Sequence, residues 1–231
     1  MDRWRGYLFS YECRRGREKD VIRSDSLLLL PSPGTYILAY SDGCFDAGKA
    51  AALADGYGWR TMMGPGDTIS RLAPLLPGCR IERRTMYGLE RQDFTGKEGR
   101  ALILSPDQYR DLFALYRKIP EMSDGFDEDE DDANMERFRS RPCPFAAAGI
   151  YEDGHLVSGA YLGSHDLICG VATEEGYRRR GYALEVVSCL LSCIFSRSMD
   201  AVALWCSDPD AARMYEGIGF RKRAGYIFLR K

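Results

Sequence analysis

Residues 167–183, LICGVATEEGYRRRGYA, place an apolar strand directly before an arginine-rich turn that opens a helix. Backbone N–H groups at a helix N-terminus have no intrahelical acceptor and carry the positive end of the helix dipole. Arg178, Arg179 and Arg180 add positive charge, and Gly181 lets an anionic group approach the backbone closely. The stretch therefore predicts a phosphate-binding loop between a strand and a helix.

This loop fits neither of the common nucleotide-binding motifs. A Walker loop needs Lys and then Ser or Thr after its last glycine, and a dinucleotide fingerprint needs G-x-G-x-x-G after a strand. The spacing Arg178-x-x-Gly181-x-Ala183 instead resembles the (Q/R)-x-x-G-x-(G/A) signature of the GNAT N-acetyltransferase superfamily.

A second motif stands about thirty residues downstream. Asp208-x-x-Ala211-x-x-x-Tyr215, closed by Gly219 and Phe220, resembles the N-x-x-A-x-x-x-Y and G-F signature of the same superfamily. The two motifs occur in the order that the superfamily uses. By this resemblance, residues 101–231 are identified as a GNAT-like catalytic domain that binds an acyl-CoA.

The resemblance implies an α/β fold with a mixed, mostly antiparallel twisted sheet flanked by helices. Patterning agrees with it, because residues 105–108 predict a helix start with a capping box and the segment 167–173 is apolar on both faces. We expect 167–173 to be a central strand covered by helices on both sides. The following helix has apolar residues at helical spacing: Ala183, Val186, Val187, Leu190, Leu191 and Ile194.

Residues 1–95 carry none of these signatures, yet they also alternate between strand and helix patterns. Strands are predicted at 36–40, 59–63 and 80–86, and helices at 45–55 and from Asp67 onward. We interpret this region as an additional small N-terminal α/β domain, with a degenerate GNAT-like copy as one interpretation. The linker is predicted at 93–100.

The resemblance assigns the contacts with acetyl-CoA. The backbone of the strand would pair with the pantetheine arm, and the loop would hold the pyrophosphate. Asp208 stands where the superfamily often has Asn, and its charge is a poorer neighbour for phosphates. The residues expected to bind acetyl-CoA are Val171, Ala172, Thr173, Arg178, Arg179, Arg180, Gly181, Tyr182, Ala183 and Asp208.

Acyl transfer to an amine also needs an acid for the leaving thiolate and a base for the amine proton. The resemblance points to Tyr215 as the acid, since a phenol can protonate a thiolate. Asp166 at the entrance of the strand and Glu152 in a predicted hairpin are candidate bases. Water or a backbone carbonyl can replace them, and a solvated carboxylate is the alternative interpretation of each.

These residues imply an acetyl-CoA-dependent N-acetyltransferase that acts by direct attack of a primary amine. Cys169 is more typical of strand packing than of a covalent nucleophile. The alternatives are a CoA-binding or sensing module that has lost catalysis, and an acyltransferase that uses a longer acyl-CoA. The acceptor is expected to be a small-molecule or peptide amine.

The composition limits the partners and the cellular location that we expect for this protein. The 231 residues are 45 % apolar and 29 % charged with a net charge of −2, which argues against nucleic-acid and membrane-surface partners. No signal-peptide pattern or bilayer-spanning run occurs, and eight cysteines without C-x-x-C pairs are typical of free thiols. We expect a cytoplasmic protein without a metal, compatible with a homodimer.

One segment bears on the acceptor. Residues 124–132 contain seven carboxylates in nine positions. The negative electrostatic potential of such a segment can attract a cationic amine. Alternatively, its carboxylates only cap the next helix.

Overall fold

A computed structural model describes residues 3–32, 34–120, 122, 126–139, 146–197 and 199–231. The chain forms two compact units. Unit 1 contains residues 1–87, 205–207 and 222–231, and unit 2 contains residues 88–204 and 208–221. The mixed α/β architecture with mostly antiparallel sheets and flanking helices is confirmed.

The elements of unit 1 come from both ends of the chain. Its helices are α1 (Tyr7–Glu12), α2 (Ala47–Asp55) and α3 (Gly66–Leu72). Its strands are β1 (Ile22–Ser24), β2 (Leu27–Ser32), β3 (Tyr36–Ser41), β4 (Thr61–Pro65) and most of β5 (Arg80–Glu90), together with β11 (Arg221–Arg230).

Strand pairing among β1, β2, β3, β4 and β11 includes both directions. Strands β1, β2 and β3 pair antiparallel in sequence order, whereas β3 and β4 are parallel, with Tyr36 opposite Thr61 and Leu38 opposite Met63. Strand β11 then pairs antiparallel with β4. A hydrophobic core lies between this sheet and helices α2 and α3, with Leu27, Ile69 and Leu229 fully buried.

The strand and helix patterns predicted in the first hundred residues correspond to β3, α2, β4, α3 and β5, with shifts of a few residues at the ends. Helix α1 and strands β1 and β2 were not predicted. The aliphatic run at 27–30 lies in β2, and its apolar character reflects burial of Leu27, Leu29 and Leu30.

Unit 2 contains a four-stranded sheet in the order β6, β7, β8, β9. The strands are β6 (Leu102–Ile103), β7 (Ala147–Glu152), β8 (His155–Leu162) and β9 (Ile168–Thr173). Its helices are α4 (Tyr109–Arg117), α5 (Asp131–Arg139), α6 (Tyr182–Ser196) and α7 (Pro209–Ile218). Strands β5 and β10 (Ala201–Cys206) have residues in both units and belong to the seven-stranded order β1, β2, β3, β4, β11, β5, β10.

One expectation about this sheet is wrong. Strand β9 is not central, because it pairs with β8 on one side and meets β10 only at an isolated parallel bridge between Leu167 and Ala203. The apolar pattern predicted burial on both faces of β9. In the structure Ile168 and Ala172 are buried, but Gly170 and Val171 are only partly buried.

Helices α4, α5 and α6 bury apolar faces in unit 2. The predicted capping box is present, with Ser105 and Gln108 bonded reciprocally before α4. The predicted face of α6 is buried from Val186 to Ile194, while Ala183 is partly exposed. In the acidic segment, residues 124 and 125 lie outside the described residues. Asp131 in α5 accepts from Arg117 at 2.8 Å.

Candidate active site

A cavity of about 660 Å³ lies in unit 2, at the free edge of β9 and the N-terminus of α6. Helix α7 forms another wall with Asp208, Asp210 and Tyr215. The cavity collects predicted site residues that are distant in sequence: Val171, Ala172, Thr173, Arg178, Arg179, Gly181, Tyr182, Ala183, Asp208 and Tyr215.

The edge of β9 faces this cavity with backbone groups. Glu174 donates its N–H to Val157 of β8, so the alternation of an antiparallel ladder turns Ala172 toward β8 and Thr173 away from it. The guanidinium Nε of Arg178 donates to the Thr173 carbonyl at 3.1 Å, which agrees with this orientation. Thr173 therefore lies on an edge that no described strand pairs with.

A β-bulge interrupts β9 beside Val171. Cys169 lies opposite Tyr161 and Ala172 lies opposite Gly159, so Gly170 and Val171 together face a single residue of β8. Gly170 has a φ of +61°, and a Cβ there would collide with the Tyr116 hydroxyl and the Tyr161 ring. The position requires glycine.

The loop before α6 has an unusual backbone. Arg179 and Gly181 both have left-handed φ values, +63° and +84°, and Arg180 between them does not. Such alternation turns successive N–H groups inward into an anion-binding concavity. The intrahelical bonds of α6 begin with Glu185 N–H to Gly181 carbonyl, so the N–H groups of residues 182–184 precede the ladder.

The three arginines occupy different places. Arg178 and Arg179 line the cavity. Arg180 does not; it donates to the Gly176 carbonyl at 3.0 Å and its guanidinium lies 5.1 Å from the Tyr177 ring centre. Sequence alone could not separate them, because the separation depends on the loop backbone.

Helix α7 presents two predicted residues to the cavity. The Asp208 carboxylate caps the helix by accepting from the N–H groups of Asp210 and Ala211, both at 2.8 Å. Tyr215 is 6 % exposed, and its ring packs edge-on against Phe220. A phenol at the wall of this cavity can donate a proton to a bound group.

Neither predicted base is among the described residues that line the cavity. Asp166 lies in a turn before β9 with a φ of +53°. Glu152 at the end of β7 accepts from the Tyr182 hydroxyl at 2.5 Å and from Arg100 at 2.8 Å. The hydrogen bond from Tyr182, helped by Arg100, holds the pKa of Glu152 below its ordinary value. Glu152 therefore anchors a side chain of the cavity wall.

Several lining residues were missed by sequence reasoning. They are Ile119, Met122, Tyr177, Leu184, Asp210, Ala211 and Met214. Ala211 had a signal, since it lies one turn before Tyr215 on the same helix. Ile119 lies two residues after the end of α4, and its place in the cavity lining depends on tertiary packing.

Among the described residues, no cluster of three or more His, Cys, Asp or Glu side chains is arranged to hold a metal ion. No helix in the described part of the chain has the length and apolarity needed to cross a bilayer.

Comparison with known proteins agrees with this geometry. Residues 148–229 match the family model for FR47-like protein, and this range includes β9, the loop, α6 and α7. Residues 148–229 are thus similar to the FR47-like family, which is related to the GNAT superfamily. No curated protein matches the sequence.

Solved structures extend the likeness in fold beyond residues 148–229. A GCN5-related N-acetyltransferase from Kribbella flavida is similar with a TM-score of 0.65 and 17 % identity, covering 98 % of this chain and 95 % of that one. A putative GNAT-family acetyltransferase from Novosphingobium aromaticivorans has a TM-score of 0.56 and 18 % identity, covering 100 % and 97 %.

A third structure is a tandem GNAT protein from the clavulanic acid biosynthesis pathway, solved without AcCoA. Its TM-score is 0.54 at 13 % identity, covering 91 % of this chain and 81 % of that one. At these identities the comparisons show a shared GNAT fold.

Proposed function

We propose that this GNAT protein is an acetyl-CoA-dependent N-acetyltransferase that acetylates a primary amine by direct attack. The observation that carries the proposal is one cavity that joins the free edge of β9, the left-handed glycine before α6 and the Tyr215 phenol. These are the features needed to pair with an amide-bearing arm, hold a pyrophosphate and protonate a leaving thiolate.

The cavity suits acetyl-CoA in charge as well as in shape. Arg178 and Arg179 supply positive charge, and the N–H groups of residues 182–184 supply donors at a helix N-terminus. Apolar side chains such as Ile119, Met122 and Met214 suit the pantetheine arm. In this assignment the pantetheine arm is held by the backbone groups of Val171, Ala172 and Thr173. Arg180 instead supports the loop before α6 through its bond to Gly176.

In the reaction, the amine nitrogen bonds to the thioester carbon as the carbon–sulfur bond breaks. The departing sulfur takes a proton from Tyr215, and the amine loses a proton to water or to a carboxylate. Because Asp166 and Glu152 do not line the cavity, water is the better-supported acceptor of that proton. The donor could carry a longer acyl group without change to these roles.

A second candidate is a CoA-binding module that has lost catalysis. Two observations favour it: neither predicted base lies on the cavity, and Asp208 places a carboxylate there. The first proposal predicts turnover with some amine, whereas the second predicts binding alone. We further propose a cytoplasmic location, based on free thiols and on the expected substrate.

Calorimetric titration with acetyl-CoA and with CoA is the first test. We expect micromolar dissociation constants, about −8 kcal/mol, for both ligands. A panel of small-molecule and peptide amines is then screened for CoA release, with an amine-free reaction as the control for hydrolysis. Binding without turnover on any amine would favour the second candidate, and absence of binding to either ligand would overturn both.

A further inference from the structure

The bulge of β9 is bonded by a side chain from helix α4. The Tyr116 hydroxyl donates to the Gly170 carbonyl at 2.8 Å, although the two residues are 54 positions apart in sequence. Tyr116 is 1 % exposed and lies in the aromatic core with Phe113, Phe126 and Phe138. Burial raises the pKa of Tyr116 well above its ordinary value, so its hydroxyl stays protonated and donates.

Packing alone does not explain a tyrosine at this position. Phenylalanine would fill the same core volume without burying a hydroxyl, and burial of a hydroxyl is unfavourable unless it is hydrogen-bonded. A bulged residue is displaced from the regular ladder, so its carbonyl needs a partner from elsewhere. Tyr116 supplies that partner.

The hydrogen bond also fixes the direction of a neighbouring donor. The Gly170 carbonyl and the Val171 N–H belong to one planar trans peptide, in which the two groups point in opposite directions. A bond that holds the carbonyl toward Tyr116 therefore holds the N–H of Val171 away from it. Val171 lines the cavity, so the peptide that carries this N–H lies at the cavity wall.

We propose that Tyr116 is a positioning residue that aims the Val171 N–H at the thioester oxygen of the acyl-CoA. This inference rests on the proposed function, since it assigns a role within the same site. A donor that is already oriented stabilises the negative charge that develops on that oxygen, without reorganising during the reaction. Tyr116 does not touch the reacting atoms itself.

The test compares binding of two ligands and needs no amine acceptor. Only acetyl-CoA has a thioester oxygen, so one aimed donor should make it bind about tenfold more tightly than CoA. Tyr116→Phe removes only the hydroxyl. We expect this variant to bind CoA within about threefold of the wild type and to lose the preference for acetyl-CoA.

A matched control separates positioning from general loosening of the core. Phe113→Leu weakens the same aromatic cluster and keeps the Tyr116 hydroxyl. We expect it to lower the thermal midpoint and to retain the acetyl-CoA preference. In a site-specific readout, the Val171 amide resonance should shift with acetyl-CoA relative to CoA in the wild type and in Phe113→Leu, but not in Tyr116→Phe.

The outcomes are distinct. An unchanged preference in Tyr116→Phe, an equal loss in Phe113→Leu, or no preference in the wild type would each overturn the role of Tyr116 while leaving CoA binding intact. If the wild type bound neither ligand, the proposed function itself would fail, and this inference with it.

Discussion

Two strands of this protein have the same local topology but different surroundings. Strand β3 in unit 1 and strand β9 in unit 2 each follow an antiparallel partner, lead into a helix and are parallel to the next strand. Strand β3 pairs with β4 from Tyr36 to Leu38, whereas β9 meets β10 only at Leu167. The edge is therefore closed in unit 1 and open in unit 2.

The N-termini of helices α2 and α6 also differ, since one is capped by a side chain and the other is not. Asp46 precedes α2 and its carboxylate accepts the N–H of Lys49 at 3.0 Å, so a negative group already occupies that helix terminus. Gly181 precedes α6 and offers no side chain there. At the N-terminus of α6, the lack of a side chain on Gly181 leaves the backbone N–H groups accessible to an anion. Positive charge alone would not give this access.

The helices that follow the parallel strands complete the contrast. Arg71 of α3 donates to the carbonyls of Gly43 and Phe45 and lies over the Phe45 ring, so it ties down the loop after β3. A polar cavity of about 390 Å³ lies beside it. In unit 2, α7 presents Tyr215 to the larger cavity instead. The same topology thus has a closed strand edge in unit 1 and, under the proposed function, a ligand-binding edge in unit 2.

The most direct way to break this contrast is to give α6 the cap that α2 has. Gly181→Asp places a carboxylate at the N-terminus of α6, where it occupies the N–H groups and repels a pyrophosphate. A unit charge at about 5 Å and an effective dielectric constant of about 20 costs roughly 3 kcal/mol. We expect calorimetry to show a loss of acetyl-CoA affinity of more than about 100-fold.

Gly181→Asn is the matched control. Asparagine tolerates a left-handed φ about as well as aspartate and has nearly the same shape without the charge. It should lose much less affinity than Gly181→Asp. Equal losses would show that space or backbone strain, not charge, limits this position.

Loss of the Tyr215 hydroxyl should affect turnover and spare binding. Once an amine acceptor is known, Tyr215→Phe is expected to lower kcat by about 100-fold, the usual effect of removing a general acid. The affinity for acetyl-CoA should stay within about threefold, because the ring remains against Phe220.

Tyr109→Phe, on α4 and away from the described cavity lining, controls for the loss of a buried hydroxyl. Its kcat should equal that of the wild type. If Tyr215→Phe weakened acetyl-CoA binding as much as it slowed turnover, Tyr215 would be a binding residue and not an acid.

Loss of the Asp46 cap of helix α2 should lower the stability of unit 1 and leave acetyl-CoA binding unchanged. Asp46→Ala removes the acceptor for Lys49 N–H and is expected to lower the free energy of unfolding by about 1 kcal/mol. Urea denaturation measures this change, and Asp46→Asn should restore most of it. A change in acetyl-CoA affinity in either variant would contradict the division of roles.

The smallest expected effect is a pH dependence in unit 1. Burial raises the pKa of Glu82, but hydrogen bonds from Arg84 at 2.6 Å and Arg230 at 3.0 Å outweigh burial and hold this pKa below its ordinary value. A lowered folded pKa stabilises the protein above the unfolded carboxyl pKa, and the contribution is lost as pH falls through the folded pKa.

Glu82→Gln should therefore be less stable than the wild type at about pH 7 by less than about 1 kcal/mol, since the pair is partly exposed. The difference should shrink as pH falls toward about 3. Denaturation curves at both pH values measure it, and a difference that grew in acid would have the wrong sign.

Much of unit 2 was predictable because its signals are local. The capping box at Ser105, the apolar face of α6 and the spacing from Asp208 to Tyr215 each lie within a few turns of chain. The bulge had only a weak signal, an isolated glycine at position 170 in a strand pattern. Its bond to Tyr116 depends on a contact across 54 residues, which no local pattern encodes.

The position of strand β9 in its sheet also depends on long-range contacts that local sequence does not encode. Its apolar residues predicted a central strand, but whether a strand is central depends on how far its neighbour stays paired. That neighbour, β10, departs after Leu167. The open edge that gives the site its backbone groups was therefore hidden in the sequence, although the loop that follows it was clear.

Strand β11 has a consequence for biosynthesis. Residues Tyr226–Arg230 pair with residues 61–65 of β4, so unit 1 is completed by a segment that leaves the ribosome more than 130 residues after its first helices and strands. Until then, β4 has an unpaired edge on which other chains can assemble. The nascent protein depends on its own late residues, or on a chaperone, to protect that edge.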